Sequence, residues 1–255
     1  MVTDRLGLLH DVADAVASAL AAQRDWGESG ARTGQYALDV AADEAALAVL
    51  RRAGVGVLSE ESGYEDRGTS EVVIIDPVDG STNCSRGIPW FATSLCFVDG
   101  DGPAVALVVN QANGVRYSAI RGGGAWKDGA RISSGGCAHV SASIIGMNGI
   151  PNVALGYAQS RVLGAVALDL CLVAEGVLDG YVDCIHEAHG VWDIAGGVLL
   201  CAEAGAELVD AWGRDLVPLS WEARRTPVAA ATPSLLDALL VSRRAFGDEP
   251  SSTDR

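Results

Sequence analysis

The stretch at residues 72–83 reads Val72-Val73-Ile74-Ile75-Asp76-Pro77-Val78-Asp79-Gly80-Ser81-Thr82-Asn83. Its four β-branched residues, bounded by Pro and Gly, predict a buried strand. Asp76 falls at the carboxyl end of that strand, where α/β proteins place their ligands. Pro77 fixes one backbone angle and Gly80 permits one that other residues avoid, so the turn can hold Asp76 and Asp79 close together. The stretch therefore predicts an α/β fold with two carboxylates at a strand end.

Ser81 and Thr82 follow this turn, and both are residue types that cap a helix. The free N–H groups at a helix start favour an anion, whereas two carboxylates beside them would repel one. Divalent cations between the carboxylates and the anion would remove this conflict, because hard cations prefer oxygen ligands. The alternative interpretation is a strand followed by an Asp-rich turn that binds nothing.

Two further acidic sites repeat the pattern. Residues 55–58 predict a short strand that leads to the adjacent acids Glu60 and Glu61. Asp193 lies in the first turn of an apolar segment that predicts a helix. Each has a purely structural alternative, namely a solvated turn for the glutamates and a favourable first-turn charge on the helix dipole for Asp193.

His186 and His189 could also suggest metal ligation. They lie three residues apart in a predicted loop and lack the H-E-x-x-H spacing of zinc sites, so we assign them no metal. The six cysteines show no C-x-x-C spacing, and we interpret them as reduced core residues.

Helical and strand periodicities alternate along the chain. The predicted helices are residues 6–24, 36–53, 163–175, 191–204 and 234–246. After the two strands above, the predicted strands are residues 91–98, 103–110, 115–120, 181–183, 205–210, 217–219 and 228–231. We predict a first α+β part over residues 1–134, a second α/β part over 135–247 that completes the site, a mobile loop near 26–35 and a disordered tail at 248–255.

Composition excludes several classes of function. The net charge of −15 leaves no basic surface for nucleic acid, although it permits a small anionic substrate if metal ions reverse the local field. No apolar run approaches the ~18 residues of a membrane span, and the first residues lack a signal-peptide pattern. We therefore expect a cytoplasmic protein.

Three motifs together resemble the inositol monophosphatase family, within the magnesium-dependent, lithium-sensitive sugar phosphatases. They are the central stretch, Ser59-Glu60-Glu61-Ser62-Gly63, and Trp192-Asp193-Ile194-Ala195-Gly196-Gly197 followed by Glu203-Ala204-Gly205. The resemblance implies an α/β (α+β) fold, a layered α-β-α-β-α sandwich of the inositol monophosphatase or fructose-1,6-bisphosphatase type, commonly a homodimer. It implies hydrolysis of inositol monophosphate or a related small sugar phosphate. Fructose-1,6-bisphosphate, histidinol phosphate and a non-catalytic, metal-binding homologue are the alternatives.

The resemblance also implies residue roles. Glu60, Asp76 and the Val78 carbonyl would bind one Mg²⁺, while Asp76, Asp79 and Asp193 would bind a second. Glu61 would hold a water on a third. Asp43, paired with the hydroxyl of Ser81, would orient and deprotonate the attacking water. The substrate-binding residues would be Gly80, Ser81 and Thr82 for the phosphate and Gly164, Ala165, Val166 and Asp183 for the sugar.

The chain departs from the family pattern in four places. Ser81 stands where a Thr is common, Cys84 stands where a Phe is usual, residues 134–161 form a shorter segment than is typical, and three extra residues lie between Asp183 and Asp193.

Overall fold

A computed structural model describes residues 4–23, 27, 29 and 35–246. The helices are α1 (Arg5–Ala22), α2 (Ala37–Ala53), α3 (Ser81–Ser85), α4 (Val166–Glu175), α5 (Val191–Ala204) and α6 (Pro233–Arg244), with a 3₁₀ turn at Val140–Ala142. The strands are β1 (Gly56–Ser59), β2 (Gly63–Glu65), β3 (Val72–Asp79), β4 (Ala92–Asp99), β5 (Gly102–Asn110), β6 (Arg116–Ile120), β7 (Gly124–Lys127), β8 (Ala130–Ile132), β9 (Ile144–Asn148), β10 (Gln159–Arg161), β11 (Gly180–Asp183), β12 (His189–Gly190), β13 (Glu207–Asp210), β14 (Arg224–Arg225) and β15 (Pro227–Ala230).

The first sheet has the strand order β2-β1-β3-β4-β5-β6-β7-β8. Strand β3, the β-branched run of the central stretch, is buried along its whole length. It pairs parallel with β1, with Ser59 opposite Ile75, and antiparallel with β4. Because β1 and β3 run in the same direction, their carboxyl ends meet at one edge of the sheet. This brings the acids that follow β1 next to those of β3.

The second sheet has the order β10-β9-β11-β15-β13, and a two-stranded ribbon joins β12 to β14. Helices α1 and α2 pack on the outer face of the first sheet, α4 and α5 lie between the two sheets, and α6 packs on the outer face of the second. Each helix buries its apolar side against a sheet, which is the driving force for this layering. The predicted α-β-α-β-α sandwich is confirmed.

Several sequence expectations need correction. Residues 217–219, predicted as a strand, form a loop. The apolar side chain of Val217 packs on the core from this loop, so the apolar pattern reflects burial rather than strand pairing. Strands β2 and β8 and the β12–β14 ribbon were missed because they are short and mostly polar or only partly buried. Strand β7 was missed because it begins within the glycine run 122–124, which predicted a turn. Helix α4 begins at Val166 rather than at residue 163, and it ends before Gly176 as predicted.

The proposed division near Ser134 falls between the two sheets, and it stays a prediction because one apolar cluster contains residues from both. The predicted tail at residues 248–255 lies outside the described residues. So does most of the predicted loop at 26–35, of which the structure describes Gly27, Ser29 and Gln35.

Candidate active site

Three carboxylates converge where β1, β3 and α5 meet. Glu60, Asp76 and Asp193 each present one oxygen, and these oxygens lie within 4.8 Å of one another. Glu60 follows β1 and donates its backbone N–H to the Ile75 carbonyl of β3 at 3.2 Å, which continues the parallel pairing beyond the strand. The structure therefore brings together three of the residues that the motifs singled out.

The charges of this cluster oppose one another. Burial is the largest cause that raises the pKa of Glu60 and Asp76 well above their ordinary values, and repulsion from neighbouring carboxylates adds to it. Burial and the Asp193 charge also raise the pKa of Asp79. A cluster of this kind is unfavourable by itself and becomes favourable around a cation. The donor set, oxygen only and densely acidic, therefore fits a hard divalent metal.

A bulge in β3 shapes the cluster. Asp76 pairs with Ser94 and Asp79 with Ala92, so Pro77 and Val78 together oppose a single residue of β4. The Val78 N–H turns back to donate to Asp76 Oδ1 at 2.9 Å, which orients that carboxylate. Bulges redirect side chains and are frequent beside active sites. This one allows Asp76 and Asp79, three residues apart, to serve one site.

Gly80 closes the turn with φ of +84° and forms the N-cap of α3. A Cβ atom there would lie 3.0 Å from the Ala165 Cβ and 3.1 Å from the Gly164 carbonyl oxygen. The turn can approach residues 164–165 this closely only because it has no side chain. Asn83 reinforces the contact, since its Nδ2 donates to the carbonyls of Leu163 and Trp90, each at 2.8 Å. The predicted phosphate and sugar segments are thus neighbours.

Asp79 also connects these segments. It is buried, and its Oδ2 accepts the N–H of Ala167 in the first turn of α4 at 2.7 Å. One carboxylate oxygen is therefore held by α4, while the charge of Asp193 raises the pKa of the group.

The predicted pairing of Asp43 with Ser81 does not occur among the described residues. Asp43 instead accepts a hydrogen bond from Ser59 Oγ at 2.5 Å, at the end of β1. Burial raises the pKa of Asp43, with the Ser59 hydrogen bond opposing that effect. Ser81 is the first residue of α3, and Gly80 rather than Ser81 is the cap.

Asp39 was missed by the motif comparison, although it is buried and lies one helical turn before Asp43. Its Oδ2 accepts the Tyr36 N–H at 2.9 Å, and the Tyr36 hydroxyl lies 3.4 Å from the Thr82 Oγ1. The negative charge of Asp39 contributes to the raised pKa values of Glu60 and Cys84. The charge of Asp39 therefore acts on both Glu60 and a residue of α3. No local sequence signal showed that Asp39, rather than Asp43, would do so.

Glu61 is not one of the three convergent carboxylates, although its charge helps to raise the pKa of Glu60. Its Oε2 accepts a hydrogen bond from Gln35 Nε2, and its backbone N–H donates to Ser59 Oγ at 3.1 Å. Ser59 therefore contacts both Asp43 and the Glu61 backbone, and the sequence motif gave it no role.

Two neighbouring tryptophans contact the segments that carry Glu60 and Asp193. Trp221 donates its indole N–H to the Glu60 carbonyl at 3.0 Å, and its ring lies 5.9 Å from that of Trp192, which precedes Asp193. The Arg224 guanidinium lies over both rings, at 5.0 and 5.6 Å. Gly190 makes room for this stack, because a Cβ there would lie 2.3 Å from the Trp192 ring. The loop before β14 thereby fixes both Glu60 and the start of α5.

A cavity of about 90 Å³ opens beside Asp79. It is lined by Asp79, Met147, Asn148, Gly164, Ala165, Val166, Asp169, Tyr181 and His189. Asp169 accepts the indole N–H of Trp90 at 3.0 Å, and burial raises its pKa to about 7. The predicted sugar-contacting residues 164–166 line this cavity, next to the carboxylate of Asp79.

Asp183, the predicted acceptor of sugar hydroxyls, is fully buried at the end of β11. Its Oδ1 accepts hydrogen bonds from Asn148 Nδ2 at 3.2 Å and from the Ile185 N–H at 3.0 Å. His189 lies between Asp183 and Asp193. Burial lowers the pKa of His189, but the hydrogen bond to Asp193 and the surrounding carboxylates outweigh it and raise that pKa to about 9.

In the part of the chain that the structure describes, no helix combines the length and the apolar character needed to cross a bilayer.

Comparison with known proteins identifies the family to which this fold belongs. The inositol monophosphatase family model matches residues 7–247. The fructose-1,6-bisphosphatase/inositol-1-monophosphatase of Thermococcus kodakarensis is 36% identical over 222 residues, which cover 84% of this chain and 83% of that protein. The protein of the same name from Archaeoglobus fulgidus is 31% identical over 248 residues, covering 93% and 97%. A solved Pyrococcus horikoshii structure, a hypothetical protein with similarities to inositol-1 monophosphatase, matches with a TM-score of 0.81 and 28% identity over 93% of this chain and 95% of that one.

The layered fold and these matches define the class: the chain is a hydrolase of phosphate monoesters, and its acidic cluster fits the divalent metal on which such enzymes depend. It belongs to the inositol monophosphatase family.

Proposed function

We propose that this protein hydrolyses inositol monophosphate or a related small sugar phosphate, with Mg²⁺ held by Glu60, Asp76 and Asp193. The observation that carries the proposal is the convergence of these three carboxylates, whose oxygens lie within 4.8 Å of one another. Mg²⁺ prefers oxygen ligands of this kind. Relatives named inositol-1-monophosphatase, such as the 36% identical protein of Mesorhizobium japonicum, support the substrate class.

Up to three cations fit the proposal. The Val78 carbonyl would join Glu60 and Asp76 at the first, Asp79 would join Asp76 and Asp193 at the second, and Glu61 would serve a third through a water. When bound, such cations lower the pKa of water at the site and offset the negative charge that builds on the phosphate.

A carboxylate must accept the proton of the attacking water, and the sequence motif suggested Asp43 with Ser81. We expect Asp39 to take this role, because its negative charge contributes to the raised pKa of Glu60. Asp43 instead accepts a hydrogen bond from the Ser59 hydroxyl. A correctly placed general base contributes about 10²–10⁴ in rate.

Substrate binding would use the two segments that meet at the Gly80 turn. The N–H groups of residues 80–82 would hold the phosphate oxygens. Gly164, Ala165 and Val166 would contact the sugar ring beside the cavity, and Asp183 would accept its hydroxyl groups. Carboxylates accept hydrogen bonds from hydroxyls and so suit a polyol.

Fructose-1,6-bisphosphate is the second candidate substrate. The observation in its favour is that relatives covering most of this chain, including the 34% identical protein of Pyrococcus furiosus, are named fructose-1,6-bisphosphatase. The intact carboxylate cluster argues against a non-catalytic homologue. Inhibition by Li⁺, a homodimeric state and a cytoplasmic location complete the proposal.

Phosphate release from a panel of substrates tests it. The panel is inositol-1-phosphate, fructose-1,6-bisphosphate and histidinol phosphate, each with Mg²⁺ and with excess EDTA. We expect Mg²⁺-dependent release from inositol-1-phosphate, abolished by EDTA. Absence of release from every substrate, with the protein folded and Mg²⁺ saturating, would overturn the proposed function.

A further inference from the structure

His189 connects two carboxylates that the predicted roles treat separately. Its Nδ1 lies 3.4 Å from Asp193 Oδ2, and its Nε2 lies 3.6 Å from Asp183 Oδ2. Nε2 also lies 3.3 Å from the Tyr181 hydroxyl and 3.5 Å from Asn148 Nδ2. Both ring nitrogens therefore face protein atoms, so the ring holds these groups in place and leaves neither nitrogen directed at a substrate.

The position of His189 is set by its surroundings. The preceding Glu187 adopts φ of +51°, its N–H donates to Thr226 Oγ1 at 3.1 Å, and its Oε1 accepts from Arg214 Nη1 at 2.6 Å. Strand β12 then pairs His189 with Arg225 of β14. A non-glycine residue with positive φ needs such support from its neighbours. These contacts hold the imidazole, whose side chain is 12% exposed.

The two carboxylate oxygens of Asp193 have different surroundings. Oδ2 accepts the Gly190 N–H at 2.8 Å and faces the imidazole, so two protein groups engage it. Oδ1 accepts no hydrogen bond in the described part of the chain. The opposite end of the ring meets Asp183 Oδ2, which is buried and accepts no hydrogen bond there.

We propose that His189 is a positioning residue that orients Asp193 for cation binding and bridges it to Asp183 at the sugar end of the site. The inference rests on the proposed use of Asp193 as a metal ligand. Groups that hold a metal-ligating carboxylate fix its direction, and their loss typically costs 10–100-fold in metal affinity. The bridge also separates two acids, the buried Asp183 and the partly buried Asp193, that would otherwise repel one another.

Metal affinity measured without substrate tests this. Mn²⁺, which suits the same oxygen ligands, is titrated into the full-length protein and its free concentration is followed by electron paramagnetic resonance. His189→Ala should weaken Mn²⁺ binding about 10-fold or more. His189→Asn keeps an amide N–H near the position of Nδ1 and should recover most of the loss, whereas His189→Gln places its amide near Nε2 and should not.

His186→Asn is the matched control in the same loop. Its Nε2 lies 3.8 Å from Glu187, and no described contact joins it to Asp193. This variant should bind Mn²⁺ as the wild type does. If His189→Ala fails to fold by circular dichroism, the comparison of His189→Asn with His189→Gln still decides, because each retains an amide.

Activation by Mg²⁺ gives a second readout. For inositol-1-phosphate, the His189→Ala midpoint should shift by the same factor as Mn²⁺ affinity, and kcat at saturating Mg²⁺ should recover to within about threefold. Wild-type Mn²⁺ affinity in His189→Ala, or equal behaviour of the Asn and Gln variants, would overturn the positioning role. A wild-type protein that binds Mn²⁺ but releases no phosphate would instead refute the proposed function and leave the titration result valid.

Discussion

At the scale of single residues, local motifs located three acids that converge in space, but they could not decide between the two acids of α2. Glu60, Asp76 and Asp193 stand in short motifs whose own strand and helix ends direct them to one point. Asp39 and Asp43 are four residues apart on α2 and therefore share one helix face. Spacing alone cannot say which of them faces the site. The contacts of Ser59 and His189 were not predicted either, because they come from tertiary packing.

Substitutions of the two acids of α2 should have different effects on turnover. At saturating Mg²⁺, Asp39→Asn should lower kcat for inositol-1-phosphate by about 10²–10⁴, the range for loss of a general base. Asp43→Asn should change kcat by only a few-fold, because an amide oxygen still accepts the Ser59 hydrogen bond. Steady-state kinetics on the pair of variants decide, and the reverse order of effects would return the role to Asp43.

At the scale of elements, the strands built from β-branched runs were the most predictable part. Their pattern reflects burial on both faces, which β3 shows along its full length. The role of the loop between β13 and β14 was not predictable, because it depends on where Trp221 of the loop and Arg224 of β14 lie in space. That loop contacts Glu60 and Trp192 across long sequence separations.

Trp221→Phe tests the contribution of this loop. The ring can still stack near Trp192 and Arg224, but the hydrogen bond to the Glu60 carbonyl is lost. A bond of this kind contributes about 0.5–1.5 kcal/mol, so Mg²⁺ activation should need roughly 2- to 10-fold more metal. Trp126→Phe, on β7, is the control and should leave the activation curve unchanged. An identical curve for both variants would show that the loop does not hold Glu60.

At the scale of the whole molecule, the five layers were predictable once the motifs suggested the family, since each apolar helix needs a sheet face to cover. The carboxylates of the site, in contrast, reduce the stability of this arrangement. Buried carboxylates with raised pKa values cost stability when they ionise without a partner. Protonation of these carboxylates should therefore stabilise the metal-free protein. The stability of the metal-bound protein should depend less on pH.

The direction in which the free energy of unfolding changes with pH follows from proton binding. The pKa of Asp169 rises from 3.8 to about 7 on folding, so the folded state binds more protons than the unfolded state between these values, and the free energy of unfolding falls as pH rises from about 4 to 7. The pKa of His189 rises from 6.5 to about 9, and the stability that this gives is present below about pH 6.5 and lost towards pH 9. The raised pKa values of Glu60 and Asp76 act in the same direction above about pH 4.

Thermal melts in EDTA and in Mg²⁺ check this expectation. In EDTA the Tm should fall between pH 5.5 and pH 8, and the increase in Tm given by Mg²⁺ should be larger at pH 8, where fewer protons compete for the carboxylates. Asp169→Asn keeps an acceptor for the Trp90 indole and should flatten the fall in EDTA. A metal-free Tm that rises across this range would contradict the assigned pKa directions.

The Mg²⁺ dependence of phosphate release by the wild type and by Asp193→Asn tests the two-part claim that the cluster binds metal and that the metal drives hydrolysis. Asparagine can still accept the Gly190 N–H, so helix α5 should start normally and the Tm in EDTA should not fall. We predict Mg²⁺-dependent release from inositol-1-phosphate by the wild type and a loss of about 10²-fold or more in kcat for the variant, the scale for removing one group that stabilises transition-state charge. Wild-type turnover in excess EDTA, or near-wild-type turnover of Asp193→Asn at limiting Mg²⁺, would contradict the account.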